Sequence, residues 1–334
     1  MNPIPPLTPP RREINVVEPV SPALEHVKRM LFQPFDLGKW FVIGFCAWLA
    51  YLGEHGAGSG ANFNFGNHSH QNVADFRHAL DHAKDCLLNN LDWIIPLAAL
   101  VVLLLVGLGL LFLWLNSRGK FMFLHCVALN RAEVTAPWNK FGAEANSLFW
   151  FRLVLGLIGM ILTLPLLGFI AVMILKMIYR DEPDLAGIMT AIGLGVMLFL
   201  VAIVFAIIKK FTVDFVVPIM FLRRSRCLAA WRELAGLLST HVWQFVLYLL
   251  FQIVLAMAIG IAVITVMIAT CCCCCLLLVP YIGTVLLLPV LIFKRAYPLY
   301  FLAQFGPEYD VFPRPAAVQP SPGLPPMPVA PPVM

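Results

Sequence analysis

Two apolar runs constrain this chain more than anything else in it. "IIPLAALVVLLLVGLGLLFLWL" (94–115) and "LAGIMTAIGLGVMLFLVAIVFAII" (185–208) contain no charged residue. Each reaches the roughly 20 residues that a helix needs to cross about 30 Å of hydrocarbon at 1.5 Å per residue. Over the whole chain 60% of residues are hydrophobic and 12% charged, about half the charged share of an ordinary soluble domain. That excess is too large for a water-soluble core, so the composition predicts a multi-pass membrane protein.

Six spans are expected, at 39–53, 91–115, 147–175, 185–208, 242–270 and 276–293. The first 25 residues hold no apolar core segment and no small-residue cleavage site, so no cleaved signal peptide is expected and the first span directs insertion. With the N-terminus in the cytoplasm, only Arg77, Lys84, Lys176 and Arg180 of the 23 Lys and Arg residues fall outside. This positive-inside bias places both termini in the cytoplasm. Most of the 26 prolines lie near the two ends, where the chain can bury no apolar face. The expected organisation is a Pro-rich cytoplasmic tail (1–25), a six-span membrane domain (26–304) with an outer His-rich loop (54–90), and a Pro-rich disordered cytoplasmic tail (305–334).

An offset of 93 residues aligns "RAEVTAPWNKFGAEANSLFWF" (131–151) with "RSRCLAAWRELAGLLSTHVWQ" (224–244). Arg131 meets Arg224, Trp138 meets Trp231, and Trp150 meets Trp243. Each copy reads as a span, an amphipathic segment at the cytoplasmic surface and a second span. Within the segments, Trp138, Phe141 and Ala145 share a helical face, as do Trp231, Leu234 and Leu238. Trp150 and Trp243 fall where interfacial rings anchor the following spans. A partial third copy at the start carries Trp40 at the same level. The fold class expected is therefore all-α integral membrane, with about six transmembrane helices, cytoplasmic interfacial helices and an internal repeat.

On "LFQPFDLGKWFVIGFCAWLA" and "PYIGTVLLLPVLIFKRAYPLYFLAQFGPEYDVF" the chain resembles an uncharacterised family of bacterial integral-membrane proteins. Its whole layout is similar to the membrane domain that accompanies some glycerophosphodiester phosphodiesterases. The resemblance covers residues 25–313 and implies the fold and a bacterial inner-membrane location. It does not imply the hydrolase activity, because in those enzymes the hydrolase is a separate globular barrel and no stretch here is long enough to encode one.

The run Cys271–Cys275 is expected near the outer end of the last two spans. On a helix its side chains fan out by about 100° each, so four thiolates cannot converge on one tetrahedral zinc. Packing as small hydrophobes, a labile disulfide, lipidation and metal binding remain the open readings. The outer loop holds five of the eight histidines. His68 and His70 lie in a Gly/Asn-rich stretch, and His78 and His82 are one helical turn apart beside Asp75, Asp81, Asp85 and Cys86. That pair is a candidate metal site, without the glutamate of an HExxH motif that would supply a general base.

Charged groups within spans are expensive and mark function, and the central parts of the expected spans hold none. Gln252 is the clearest deep polar group, either lining a pathway or donating a hydrogen bond between helices. On the cytoplasmic side Lys28, Arg29, Lys39, Arg131, Lys140, Arg223, Arg224, Arg226 and Arg232 alternate with aromatic residues, a combination suited to anionic headgroups. The interface residues expected to meet lipid are Trp40, Trp138, Trp150, Trp231, Trp243, Arg131 and Arg224.

The function these residues favour is non-catalytic: a scaffold or accessory protein that binds membrane lipids or a protein partner. The alternatives are a lipid or weakly polar solute carrier, and an outer-facing metal-dependent enzyme built on His78 and His82. No cofactor and no nucleic-acid partner is expected, since orientation already accounts for the positive charge. Reporter fusions at residue 65 should read outside and fusions at both ends inside; an outward C-terminus would contradict the span count.

Overall fold

The computed structural model describes residues 14–53, 91–179, 185–270 and 280–312, which are helical with no strand. The outer loop with His68, His70, His78 and His82, and the run Cys271–Cys275, lie outside the described residues. Two short helices, α1 (Val20–Phe32) and α2 (Leu37–Tyr51), precede α3 (Leu91–Leu129). A short α4 (Thr135–Lys140) leads into α5 (Gly142–Tyr179), and α6 (Leu185–Phe211) runs through a π-helical turn (Thr212–Val216) into α7 (Val217–Arg223). Next come α8 (Cys227–Thr240) and α9 (Val242–Thr270), then α10 (Pro280–Leu286), α11 (Leu288–Ala303) and a 3-10 turn at Pro307–Tyr309.

The long helices change character along their length. α3 has 39 residues, about 58 Å at 1.5 Å per residue. Its residues from Ile95 to Leu111 are exposed, whereas those from Phe121 to Ala128 are all buried. The upper part is rich in Val, Leu and Gly, and its side chains are exposed. The lower part introduces Asn116, Ser117, Lys120 and His125, which are buried in a packed base. α5, α6 and α9 show the same division, buried where they meet the base and exposed beyond it. Among the described residues four stretches, Ile95–Leu129, Gly142–Lys176, Leu185–Arg223 and Val242–Thr265, are long and apolar enough to cross a membrane. So much contiguous apolar surface is not stable in water, and helices whose backbone groups are bonded internally are what a bilayer accepts.

The first and last expected spans are built differently from the other four. α2 has only 15 residues and buries Ile43, Cys46, Ala47, Leu49 and Ala50 along the lower part of α3. The last apolar stretch is broken at Leu287 into α10 and α11, with Pro289 in the first turn of α11. Leu288, Ile292, Ala296, Tyr297, Leu299, Phe301 and Leu302 of α11 are fully buried. Their apolar side chains build the core of the base, which hydropathy does not distinguish from a lipid-facing span.

The base closes on both ends of the described chain. Asn15 N–H donates to Gln304 Oε1 at 2.8 Å, and Gln304 Nε2 donates back to Asn15 O at 2.9 Å. Tyr297 OH donates to Val16 O at 2.8 Å. α1 buries Ala23, Val27, Met30 and Leu31 on one face, and its His26 ring lies 2.9 Å from Val127 O and against Phe312. Burial, and then the neighbouring Arg29 and Lys39 charges, hold that imidazole below its usual pKa, although the Val127 carbonyl opposes them. The packed body thus extends past residue 25 at one end and past residue 304 at the other.

Gly119 sets the closest helix contact: a Cβ there would stand 2.5 Å from both Ala50 N and Leu49 C. By contrast, nothing lies within 4 Å of a Cβ at Gly109. Gly119→Ala should therefore lower stability by about 1–3 kcal/mol through forced separation of α2 and α3. Gly109→Ala should be neutral or gain up to about 1 kcal/mol of helix propensity. Unfolding of both variants in detergent tests this, and equal effects would contradict the packing.

Candidate functional site

The polar centre of the molecule lies where the base meets the long apolar helices, and a single proline begins it. Pro218 has no N–H, and Val217 N–H bonds the carbonyl of Thr212, five residues back, in the π register. The carbonyl of Val213 therefore loses its α-helical donor to Thr212, while its π-register partner would be the nitrogen of Pro218. Arg295 of α11 supplies the missing bond, its Nη1 donating to Val213 O at 2.6 Å. A buried carbonyl left unpaired would cost about 1–3 kcal/mol.

The same turn aims Asp214 inward, where it is 5% exposed. Lys210 Nζ lies 2.8 Å from Asp214 Oδ2, and Tyr248 OH of α9 donates to that oxygen at 2.8 Å. Gln252 Nε2 donates to Tyr248 OH at 3.0 Å, and Gln252 Oε1 accepts from Lys210 Nζ at 3.5 Å. Gln252, a lone polar group in the sequence, thus belongs to a four-residue network. A buried carboxylate needs this kind of pairing, since an isolated charge would be strongly disfavoured. Phe215, Tyr297 and Phe301 pack around the fully buried Tyr248, while Lys210 and Gln252 lie at the partly exposed edge of the network. Arg295 Nε and Nη2 are buried with no hydrogen-bond partner among the described residues.

A second polar belt surrounds this level. Arg152 of α5 donates to Asn116 Oδ1 at 2.5 Å, and Asn116 Nδ2 donates to the carbonyls of Ala50 and Leu52 at 2.8 and 2.9 Å. Those bonds fasten α5, α3 and the C-terminal end of α2, whose last carbonyls lack helical donors. The Arg118 guanidinium lies between the Trp114 and Trp138 rings, 4.7 Å from each centroid, a cation–π arrangement.

The interface residues expected from the sequence divide into two groups. Trp138 and Trp231 are half-buried against protein, Trp138 on Trp114 and Arg118 and Trp231 on Phe151. Trp40 is also half-buried, its Nε1 donating to Leu31 O at 3.0 Å. Trp150 and Trp243, one turn or more into α5 and near the start of α9, are 63% and 72% exposed. Arg131 is exposed, 3.8 Å from Glu133. Arg224 takes left-handed backbone angles at the end of α7, with φ 52°. It reaches back to the other half of the chain, donating to Lys140 O at 2.6 Å and Glu144 Oε1 at 3.1 Å over the Phe141 ring.

Beside Arg224 an open groove of about 670 Å³ is lined by Glu144, Ser147, Trp150, Arg226 and Leu228. A narrower one of about 300 Å³ lies between α5 and α6, with Arg152 and Lys209 among its lining residues. Among the described residues no group of three His, Cys, Asp or Glu side chains could hold a metal ion, and His78 and His82 are outside them. Sequence reading missed Lys210, Asp214, Tyr248 and Arg295 as a set. The available signal was a Lys/Asp pair four apart followed by a proline four residues on, which marks a charge pair beside a broken helix.

The family model described as "Family of unknown function (DUF7544)" matches residues 14–287, and the chain belongs to that family. No curated protein and no solved structure matches it.

Tyr248→Phe removes the donor to Asp214 and the acceptor of Gln252 in one step. It should cost about 1–3 kcal/mol of stability in detergent, whereas Gln252→Leu, at the half-buried edge of the network, should cost about 1 kcal/mol or less. If Tyr248→Phe unfolds like the parent protein, the network does not stabilise the junction.

Proposed function

We propose, for this member of a family without an assigned activity, a non-catalytic scaffold or accessory protein that holds anionic lipid headgroups, or a protein partner, against the inner face of the cell membrane. The observation that carries this reading is the position of exposed cations and rings. Trp150, Trp243, Arg226 and Arg232 are exposed, Trp150 and Trp243 lie in the first turns of the apolar helices α5 and α9, and Trp150 and Arg226 line the open groove beside Arg224. Tryptophan favours the headgroup level, and basic side chains there attract anionic lipid.

The deep polar groups support the same assignment. Lys210, Asp214, Tyr248 and Gln252 satisfy one another, which favours a structural junction over a solute route along Gln252. Six spans, cytoplasmic tails and an internal duplication are part of this proposal. In support, Asn15 and Gln304 bond to each other across the same face of the base. Asn130 and Arg224, one residue out of register in the 93-residue offset, both follow a helix with positive φ, ahead of α4 and α8 respectively. The similarity of layout to the membrane domain that accompanies some glycerophosphodiester phosphodiesterases supports an accessory role in a bacterial inner membrane.

Extraction in polymer discs with native lipids, followed by lipid mass spectrometry, tests the reading. Anionic lipids should be enriched over the bulk membrane. The double variant Arg226→Gln, Arg232→Gln should lose much of that enrichment, since each basic residue near an anionic surface contributes about 1 kcal/mol. A parent protein whose disc lipids match the bulk, or one that moves solute in vesicles, would contradict it.

A further inference from the structure

We propose that the groove between α5 and α6 is a binding site for one anionic phospholipid, with its phosphate at Arg152 and Lys209 and one acyl chain running along the furrow above them. This rests on the lipid-binding reading and gives it a specific site, distinct from the exposed rim.

The groove is amphiphilic along its length. On α5 its wall is Arg152, Gly156, Gly159 and Thr163; on α6 it is Ala202, Phe205 and Lys209. The helices run in opposite directions, so Arg152 lies level with Lys209 at the base, and Thr163 lies level with Ala202 in the apolar zone. From Arg152 to Thr163 the furrow extends about 16 Å at 1.5 Å per residue. Both hydroxyls that line it are engaged by their own helices: Thr163 Oγ1 donates to Gly159 O at 2.8 Å, and Thr212 Oγ1 to Ile208 O at 2.7 Å. The upper furrow therefore offers hydrocarbon contact, and the charged donors are at the lower end.

This polarity selects the occupant. A free phosphate would leave the apolar furrow empty, while a neutral apolar solute would bring no anion to Lys209 or to Arg152, whose Nη1 donates to Asn116. An anionic phospholipid matches both ends at once, and its orientation agrees with the molecule. The headgroup lies at the level of the base and the chain points along the exposed upper helices, as in a leaflet. The furrow is open at Gly156, where a Cβ would meet nothing within 4 Å, and narrows at Gly159, where a Cβ would stand 3.3 Å from the Phe205 ring. Asp214 does not compete for the phosphate site, being held by Lys210 and Tyr248.

Native mass spectrometry of the detergent-purified full chain, titrated with dioleoyl phosphatidylglycerol or dioleoyl phosphatidylcholine, tests the site. One phosphatidylglycerol should be retained about tenfold more strongly than phosphatidylcholine, a difference of one decade in dissociation constant. Gly156→Leu fills the furrow from a position with open space, so it should melt no lower than the parent and lose the single bound lipid. Gly168→Leu, on the same helix with open space but outside the groove, should retain it. Lys209→Gln should reduce the phosphatidylglycerol preference about fivefold, and millimolar inorganic phosphate should not displace the lipid. Unchanged retention in Gly156→Leu, or equal retention of the two lipids, overturns the site. If Arg226→Gln with Arg232→Gln abolishes anionic enrichment in discs while Gly156→Leu and Lys209→Gln do nothing, the groove fails and the rim reading stands. Absence of anionic enrichment in the parent overturns both.

Discussion

The fold depends on a broken hydrogen-bond register. Pro218 cannot donate, and Val217 bonds five residues back, so a carbonyl at Val213 is left to be satisfied from elsewhere. Arg295 satisfies it from α11, further along the chain, and this bond joins α11 to the π turn at the junction. The π turn also rotates Asp214 toward Tyr248 of α9, so the third long helix of the chain is fastened to the fourth through a side chain that a regular α-helix would have pointed elsewhere. π turns of this kind are frequent at functional positions; here the turn serves to join helices at the level where the surroundings change from protein to hydrocarbon.

Below that level, packing is protein on protein, and glycine decides how close helices come. Gly119 brings α3 onto the backbone of α2, and Gly44 lets Val285 of α10 approach within 2.6 Å of its missing Cβ. Above it, Gly107, Gly109, Gly193 and Gly195 face open space. The hydrophobic effect orders the base, because its apolar side chains leave water. In the upper segments apolar side chains are at no disadvantage against lipid, so helix association there must come from shape and polar contact. That difference explains why the molecule concentrates its hydrogen bonds and aromatic contacts in the base and at the junction.

The sequence made the long helices legible, because runs such as residues 94–115 leave no other stable arrangement. The amphipathic face of α8 was also readable from spacing, with Leu234 buried as the pattern indicates. The base was not readable as such. Leu103 and Leu124 are the same residue in the same helix, yet one is 71% exposed and the other is fully buried; hydropathy scores both alike because it does not register what a side chain touches. For the same reason hydropathy scores α2 and α11 like the four long helices, although their side chains pack into the base. Trp138 and Trp150 likewise share a residue type, but a neighbouring Arg118 draws one of them inward. The polar network stayed hidden because Lys210, Asp214, Tyr248, Gln252 and Arg295 come together only after three helices have packed.

The central claim is that four helices change from protein contact to lipid contact at the level of the Asp214 network. Its most direct test is to place a photo-crosslinking amino acid at positions 103, 161, 199 and 257, one on the exposed upper part of each long helix, and irradiate the protein in bilayers. Acyl-chain adducts at all four positions are the predicted result. Adducts to protein in their place, or labelling of these positions by a water-soluble reagent, would contradict the account.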